Sequence, residues 1–188
     1  MTERVLTVPN LVTFARLALL PFFIWLIATD RLAAAGWLFG VIAATDWVDG
    51  YLARKLDQVT ELGKLLDPVA DRLAVAIAVV GGLITGVLPV WFGWALIVRE
   101  ALIGVGALYV GLAAGQKLAV RQLGKLATFG VYSAVAWFYI GEGTPLDFFV
   151  WIAYIGGVPA LIMYYIVGAQ YLGDARAVVA SEGPDGQS

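Results

Sequence analysis

The sequence predicts an all-α, polytopic membrane protein with six transmembrane helices and both termini cytoplasmic. Three observations carry that prediction. First, 61% of the 188 residues are hydrophobic and only 14% charged, with a mean hydropathy of +0.86, whereas soluble domains carry roughly a quarter charged residues and less than half apolar ones. Second, six long apolar runs lie between breakers, each near the ~20 residues that cross a bilayer. Third, the basic residues fall almost entirely on one side of the topology those runs define.

The first run, residues 11–28, is entered through Pro9-Asn10 and closed by Asp30-Arg31. It exceeds a signal-peptide core and no small-x-small cleavage site follows it, so it reads as a retained helix. The second covers about 32–51 and the third about 65–85. Gly86-Val87-Leu88-Pro89 turns into the fourth, 90–112. The fifth spans 123–140, and Gly141-Glu142-Gly143-Thr144-Pro145 leads to the sixth, 146–172. Residues 1–180 thus form a single membrane domain, and the polar stretch from Ser181 reads as a disordered tail over 181–188.

With six spans, both termini and the loops after spans two and four share one side. That side holds Arg4, Arg54, Lys55, Lys64, Lys117, Arg121, Lys125 and Arg176, while the other holds only Arg31. The positive-inside rule places the basic side in the cytoplasm of a cell membrane. Trp91, Trp94, Tyr164, Tyr165 and Tyr171 read as interfacial anchors rather than substrate contacts.

The chain contains no Cys and no His. Thiolate nucleophiles, Cys-ligated metals, histidine triads and most transition-metal sites are therefore excluded. Chemistry must run on carboxylates, Lys or Arg, hydroxyls and hard cations. A net charge of −2 argues against bulk nucleic-acid binding.

Within the apolar runs stand Arg16, Asp46, Asp49, Asp67, Asp71, Arg72 and the Arg99-Glu100 pair. Ionisable groups at such positions cost a few kcal/mol each unless they serve something. On helices, Asp46 and Asp49 at i, i+3 and Asp67 and Asp71 at i, i+4 each share a face. The hairpin between spans two and three brings the two pairs towards each other near the cytoplasmic interface. A single such aspartate is as readily a helix cap or a partner for Arg16 or Arg72, and Asp67 before Pro68 has the form of an N-cap. Four together exceed the nearby cations. They cannot all stay ionised without added metal, and oxygen-only ligation selects Mg²⁺, Mn²⁺ or Ca²⁺. Gly50 and Ala53 leave room along the Asp46/Asp49 face, and Arg54 offers a fork suited to phosphate. The constellation describes a metal–diphosphate site.

These residues read Asp46-x₂-Asp49-Gly50-x₂-Ala53-Arg54-x₈-Gly63-x₃-Asp67-x₃-Asp71. The run resembles the full signature of the CDP-alcohol phosphatidyltransferases, and such fixed spacing is far more specific than a lone glycine motif. Pro9-Asn10-Leu11-x-Thr13-x-x-Arg16 resembles the branch making phosphatidylglycerophosphate and cardiolipin. The resemblance implies that Asp46, Asp49, Asp67 and Asp71 hold two divalent ions, Mg²⁺ or Mn²⁺, against the diphosphate of CDP-diacylglycerol. Gly50, Ala53, Arg54 and Gly63 would bind the CDP-lipid. Asp71 would also be the base that deprotonates an acceptor hydroxyl, which attacks the phosphorus of the diacylglycerol phosphate as CMP leaves. The resemblance further implies a homodimer. The lack of His rules out the phospholipase-D-like type of cardiolipin synthase.

Glycerol-3-phosphate is the first acceptor implied, with Arg16, Arg99, Arg121 and Lys125 as candidates to bind it. Arg99-Glu100 resembles a pair in the glycerol-3-phosphate enzymes, but a buried ion pair is an equal reading. The 15-residue stretch 101–115 carries no charge where those enzymes have a further basic residue. Phosphatidylglycerol, the acceptor of a cardiolipin synthase, fits that apolar stretch as well, and Gly124-Lys125-x-x-Thr128 suits both. The main non-enzyme alternative is a divalent cation transporter, because intramembrane carboxylates also mark ion paths. Against it, the aspartates cluster at one end of the membrane instead of along its depth. Intramembrane prenyltransferases also use Asp-bound Mg²⁺, but their motifs lack the Gly-x-x-Ala-Arg continuation.

Overall fold

A computed structural model describes residues 7–56, 61–114 and 122–181, and among them the chain is entirely helical. Six helices follow one another: α1 (Val8–Ala28), α2 (Leu32–Leu56), α3 (Glu61–Thr85), α4 (Val90–Ala114), α5 (Gln122–Glu142) and α6 (Phe148–Ser181). In lipid the backbone must satisfy its own hydrogen bonds, so an apolar run of this length becomes a helix. Three stretches of the described residues are long and apolar enough to cross a membrane: Asn10–Ala28, Leu123–Glu142 and Phe148–Gln170. A shorter apolar helix covers Leu32–Thr45. Helix α3 carries Glu61, Lys64, Asp67, Asp71 and Arg72 in its first half, which dilutes its hydropathy.

Most helices run past the apolar boundaries predicted for them. Helix α3 starts at Glu61 rather than near residue 65, so Asp67 and Pro68 lie more than a turn inside it and the N-cap reading of Asp67 is set aside. Helix α2 continues to Leu56, and α6 to Ser181. Hydrophobicity reports where a helix enters lipid, whereas hydrogen bonding carries it on into the polar zone. Of the expected disordered tail, residues 182–188 lie outside the described residues.

The turns explain themselves locally. Thr7 caps α1, its side chain accepting from the Asn10 amide at 3.4 Å, with proline in the first turn. At the other end of α1, Arg31 N–H donates to Leu26 C=O at 2.8 Å and Asp30 N–H to Ile27 C=O at 3.1 Å. This is a Schellman closure, with Asp30 in the left-handed region at φ 58°. Gly86 takes φ 78° in the α3–α4 turn, a conformation open to glycine at little cost.

Helices α5 and α6 meet through small residues. A Cβ on Gly157 would sit 2.6 Å from the Ala134 methyl, and one on Gly130 2.7 Å from the Ala160 methyl. Such close approach is how membrane helices gain contact without a hydrophobic driving force between them. Around this seam, Phe23 and Phe39 stack at 5.7 Å, and Phe92 meets Phe138 edge-on at 5.4 Å. Tyr139 of α5 donates to the Ala78 carbonyl of α3 at 2.8 Å, satisfying its hydroxyl inside the bundle. The α5–α6 pair is the most closely packed; α2 lies on α5, α4 on α6, and α1 on α2 and α3.

Candidate active site

One face of α1 is polar although it is buried. Asn10, Thr13 and Arg16 stand three residues apart with 1%, 0% and 2% exposure, the spacing of one helical face. None of the three is without a partner. The guanidinium of Arg16 reaches α3, where its Nη1 donates to Oδ1 of Asp71 in a charge-assisted ion pair. The Arg16 side chain is 1% exposed, while Asp71 keeps 28% of its side chain open. The last aspartate of the motif is thus anchored on one side and accessible on another.

The remaining motif positions follow from the backbone. Helix α2 is unbroken through positions 46, 49, 50, 53 and 54, and α3 through 63, 67 and 71. Each set therefore follows regular helical register. The side chains of Asp46, Asp49, Arg54 and Asp67, and the surroundings of Gly50, Ala53 and Gly63, lie outside the described residues. Arg121 and Lys117 lie outside them too. Lys125 is exposed on the first turn of α5, where Thr128 donates back to the Gly124 carbonyl at 2.9 Å.

A second polar centre lies between α4 and α6. Arg99, 8% exposed, donates from Nη1 to Oε1 of its neighbour Glu100 at 2.9 Å. Its guanidinium carbon lies 3.3 Å from the centroid of the Tyr164 ring, a cation–π contact. The Tyr164 hydroxyl donates to the same Glu100 oxygen. The ion-pair reading of Arg99-Glu100 describes this geometry, and Nε of Arg99 has no hydrogen-bond partner among the described residues. Tyr164, expected at the membrane interface, is instead 2% exposed. Its hydroxyl finds Glu100 inside the bundle, so it has no need of water. Tyr165, Trp91 and Trp94 remain on the outside at 37%, 51% and 57% exposure.

Tyr132 of α5 lines a cavity together with Arg72 and Glu100 and packs its ring against Phe39 at 6.2 Å. Sequence reasoning missed Tyr132 and Tyr164 because a tyrosine among apolar residues carries no spacing signal. Asn10 and Thr13 were readable as a three-residue polar stripe leading to Arg16.

Two relatives bear on the chemistry. The cardiolipin synthase (CMP-forming) of Streptomyces coelicolor is 34% identical over 194 residues, covering 96% of this chain and 88% of its own. The CDP-diacylglycerol–glycerol-3-phosphate 3-phosphatidyltransferase of Escherichia coli is 34% identical over 185 residues, covering 90% and 95%. Equal identity to both leaves the acceptor undecided while placing the chemistry in one class. Residues 6–168 match the CDP-alcohol phosphatidyltransferase family, and with the signature on α2 and α3 and its last aspartate held by a buried arginine, the chain belongs to that family.

Proposed function

We propose that the protein transfers a phosphatidyl group from CDP-diacylglycerol to the hydroxyl of a glycerol-based acceptor, releasing CMP, as a step in anionic phospholipid synthesis. The observation that carries this reading is the Arg16–Asp71 pair. It holds the last motif carboxylate against a buried guanidinium, oriented and partly open on a continuous helix. A carboxylate so placed can accept the hydroxyl proton as the acceptor oxygen bonds to the phosphorus of the diacylglycerol phosphate. The phosphorus–oxygen bond to CMP breaks, and CMP carries the electron pair away. A carboxylate is a weak base, so positioning supplies much of the effect.

The donor set suits a metal. Asp46, Asp49, Asp67 and Asp71 offer oxygen only, and Asp71 keeps part of its side-chain surface open, which fits Mg²⁺ or Mn²⁺. Two such ions would neutralise the diphosphate and stabilise the departing CMP. Gly50, Ala53, Arg54 and Gly63 are assigned to the CDP-lipid, and Arg16, Arg99, Arg121 and Lys125 to the acceptor end.

The protein is read as six spans with both termini and the active site on the cytoplasmic face, the side rich in Lys and Arg. A homodimer is part of the same reading. Glycerol-3-phosphate and phosphatidylglycerol both supply the required hydroxyl. The decisive experiment is CMP release by purified protein from CDP-diacylglycerol, with each acceptor in turn, with and without chelator. Metal-dependent release with one of them is expected. No release with any acceptor, from folded protein that binds Mn²⁺, would overturn the transferase reading in favour of cation transport.

A further inference from the structure

A groove of about 310 Å³ runs between α3 and α4. One end is polar, formed by Arg72, Glu100 and the Tyr132 ring from α5. The rest is apolar, walled by Ala76 and Val80 on α3 and by Leu96 and Ile97 on α4. From Arg72 to Val80 the helix rises roughly 12 Å, and the walls change from charged to aliphatic over that length. Ala76 and Val80 are exposed, so the groove opens to the surroundings of the bundle. A cavity charged at one end and apolar along its walls matches an amphiphile, and about 310 Å³ suits one hydrocarbon chain rather than two.

The charges at the polar end give the sign. Glu100 is met by Arg99 at 2.9 Å, and Asp71 by Arg16. Arg72 makes no ion pair among the described residues, and its Nη1 lies 3.5 Å from where a Cβ on Gly104 would be. The guanidinium lines the groove's polar end with no ion pair among the described residues, and offers a site for one anionic phosphate. Arg72 also follows Asp71 in the chain, so a headgroup held on its guanidinium lies close to the assigned base. The CDP-lipid is assigned to the α2–α3 motif. The α4 side of α3 is then the approach left for the second substrate.

We propose that this groove holds an acyl chain of a lipid acceptor, with Arg72 on the lipid's phosphate and its glycerol hydroxyl delivered to Asp71. The acceptor is accordingly an anionic, glycerol-headed phospholipid, and glycerol-3-phosphate, lacking a tail, leaves the groove unused. This inference rests on the phosphatidyltransferase reading with Asp71 as base, and it moves phosphatidylglycerol ahead of glycerol-3-phosphate.

The test uses the full-length protein in nanodiscs with CDP-diacylglycerol and divalent metal. CMP release is followed with dioleoyl-phosphatidylglycerol, with its tail-less headgroup glycerophosphoglycerol, and with glycerol-3-phosphate. The wild-type protein is expected to prefer the dioleoyl lipid. Ala76→Trp and, as a second filling variant, Val80→Trp should each lower the ratio of lipid to tail-less turnover by more than tenfold, since a few excluded methylenes suffice. Arg72→Gln should raise KM for the dioleoyl lipid about tenfold or more without changing CDP-diacylglycerol binding. Ile84→Trp, on the lipid-facing end of α3 outside the groove, serves as the control and should leave the ratio unchanged.

Use of glycerol-3-phosphate with none of the lipid would overturn the proposal while leaving the transferase reading intact. Unchanged ratios in both filling variants would also overturn it. Loss of CDP-diacylglycerol binding in those variants would show that the groove holds the donor tail. A filling variant that turned a dimer into a monomer by light scattering would show that a second copy covers it. No CMP release by the wild type with any acceptor would strike the underlying reading itself.

Discussion

Arg16 and Arg99 are the buried basic side chains among the described residues, and they are held in opposite ways. Arg16 on α1 pairs with Asp71 on α3, 55 positions away. Arg99 pairs with the next residue of its own helix, and the pair is closed from α6 by a tyrosine that both stacks on the arginine and donates to the glutamate. The first bond joins two helices through a motif carboxylate that keeps an open side. The second is local to one helix and its α6 neighbour, and its glutamate, also 30% open, lies outside the motif. A buried charge pair seldom adds net stability over an apolar equivalent, so each must be kept for something else. On the proposed mechanism the Arg16 pair orients the base, whereas the Arg99 pair joins α4 to α6 through Tyr164 beside the groove.

The largest expected effect breaks the active side of this contrast. Asp71→Asn should lower CMP release by about 10²- to 10⁴-fold while leaving CDP-diacylglycerol binding largely intact, because one oxygen remains. Asp46→Asn should weaken metal-dependent binding itself, and equal loss of binding in both variants would remove the separate base role. Arg16→Met leaves Asp71 without its guanidinium and should cost about 2–4 kcal/mol in denaturant unfolding, with turnover falling for every acceptor. Arg99→Met is the matched variant and should act on acceptor KM and on stability, but not on CDP-lipid binding. Identical kinetic signatures would erase the distinction between the two arginines.

Smaller effects sharpen it. Gly157→Leu drives a side chain into Ala134 and the Phe92 ring, where even a Cβ meets atoms at 2.6 and 3.3 Å. A loss of about 1–3 kcal/mol with KM values unchanged would confirm the α5–α6 seam as frame alone. Tyr164→Phe keeps the ring under Arg99 and removes only the donor to Glu100. About 1–2 kcal/mol is expected from thermal unfolding in detergent, with turnover preserved within a few-fold.

Much of this was legible before any coordinates. Six helices could be read because an apolar run in lipid favours a helix, and the breakers Asp30-Arg31 and Gly86-Pro89 fall between helices, while Gly143-Thr144-Pro145 follows the end of α5. The α3 start was misplaced because Glu61 and Lys64 look like loop residues to a hydropathy reading, yet they sit in helix. Tyr164 was read as an anchor because tyrosines near helix ends usually face the interface. Its burial depends on where Glu100 of another helix happens to lie.

What the sequence alone determined about this protein is everything set by register within one segment: the helical runs, the polar stripe Asn10–Thr13–Arg16, and the aspartate spacing that carries the family. Tertiary structure alone decided which faces meet. It chose Asp71 as the partner of Arg16, turned Tyr164 inward, and left Arg72 at the head of an apolar groove. The physical reason is that helical periodicity tells which residues share a side. Which helix that side faces depends on close packing of small residues such as Gly157 and Ala134, and that cannot be read from either helix by itself.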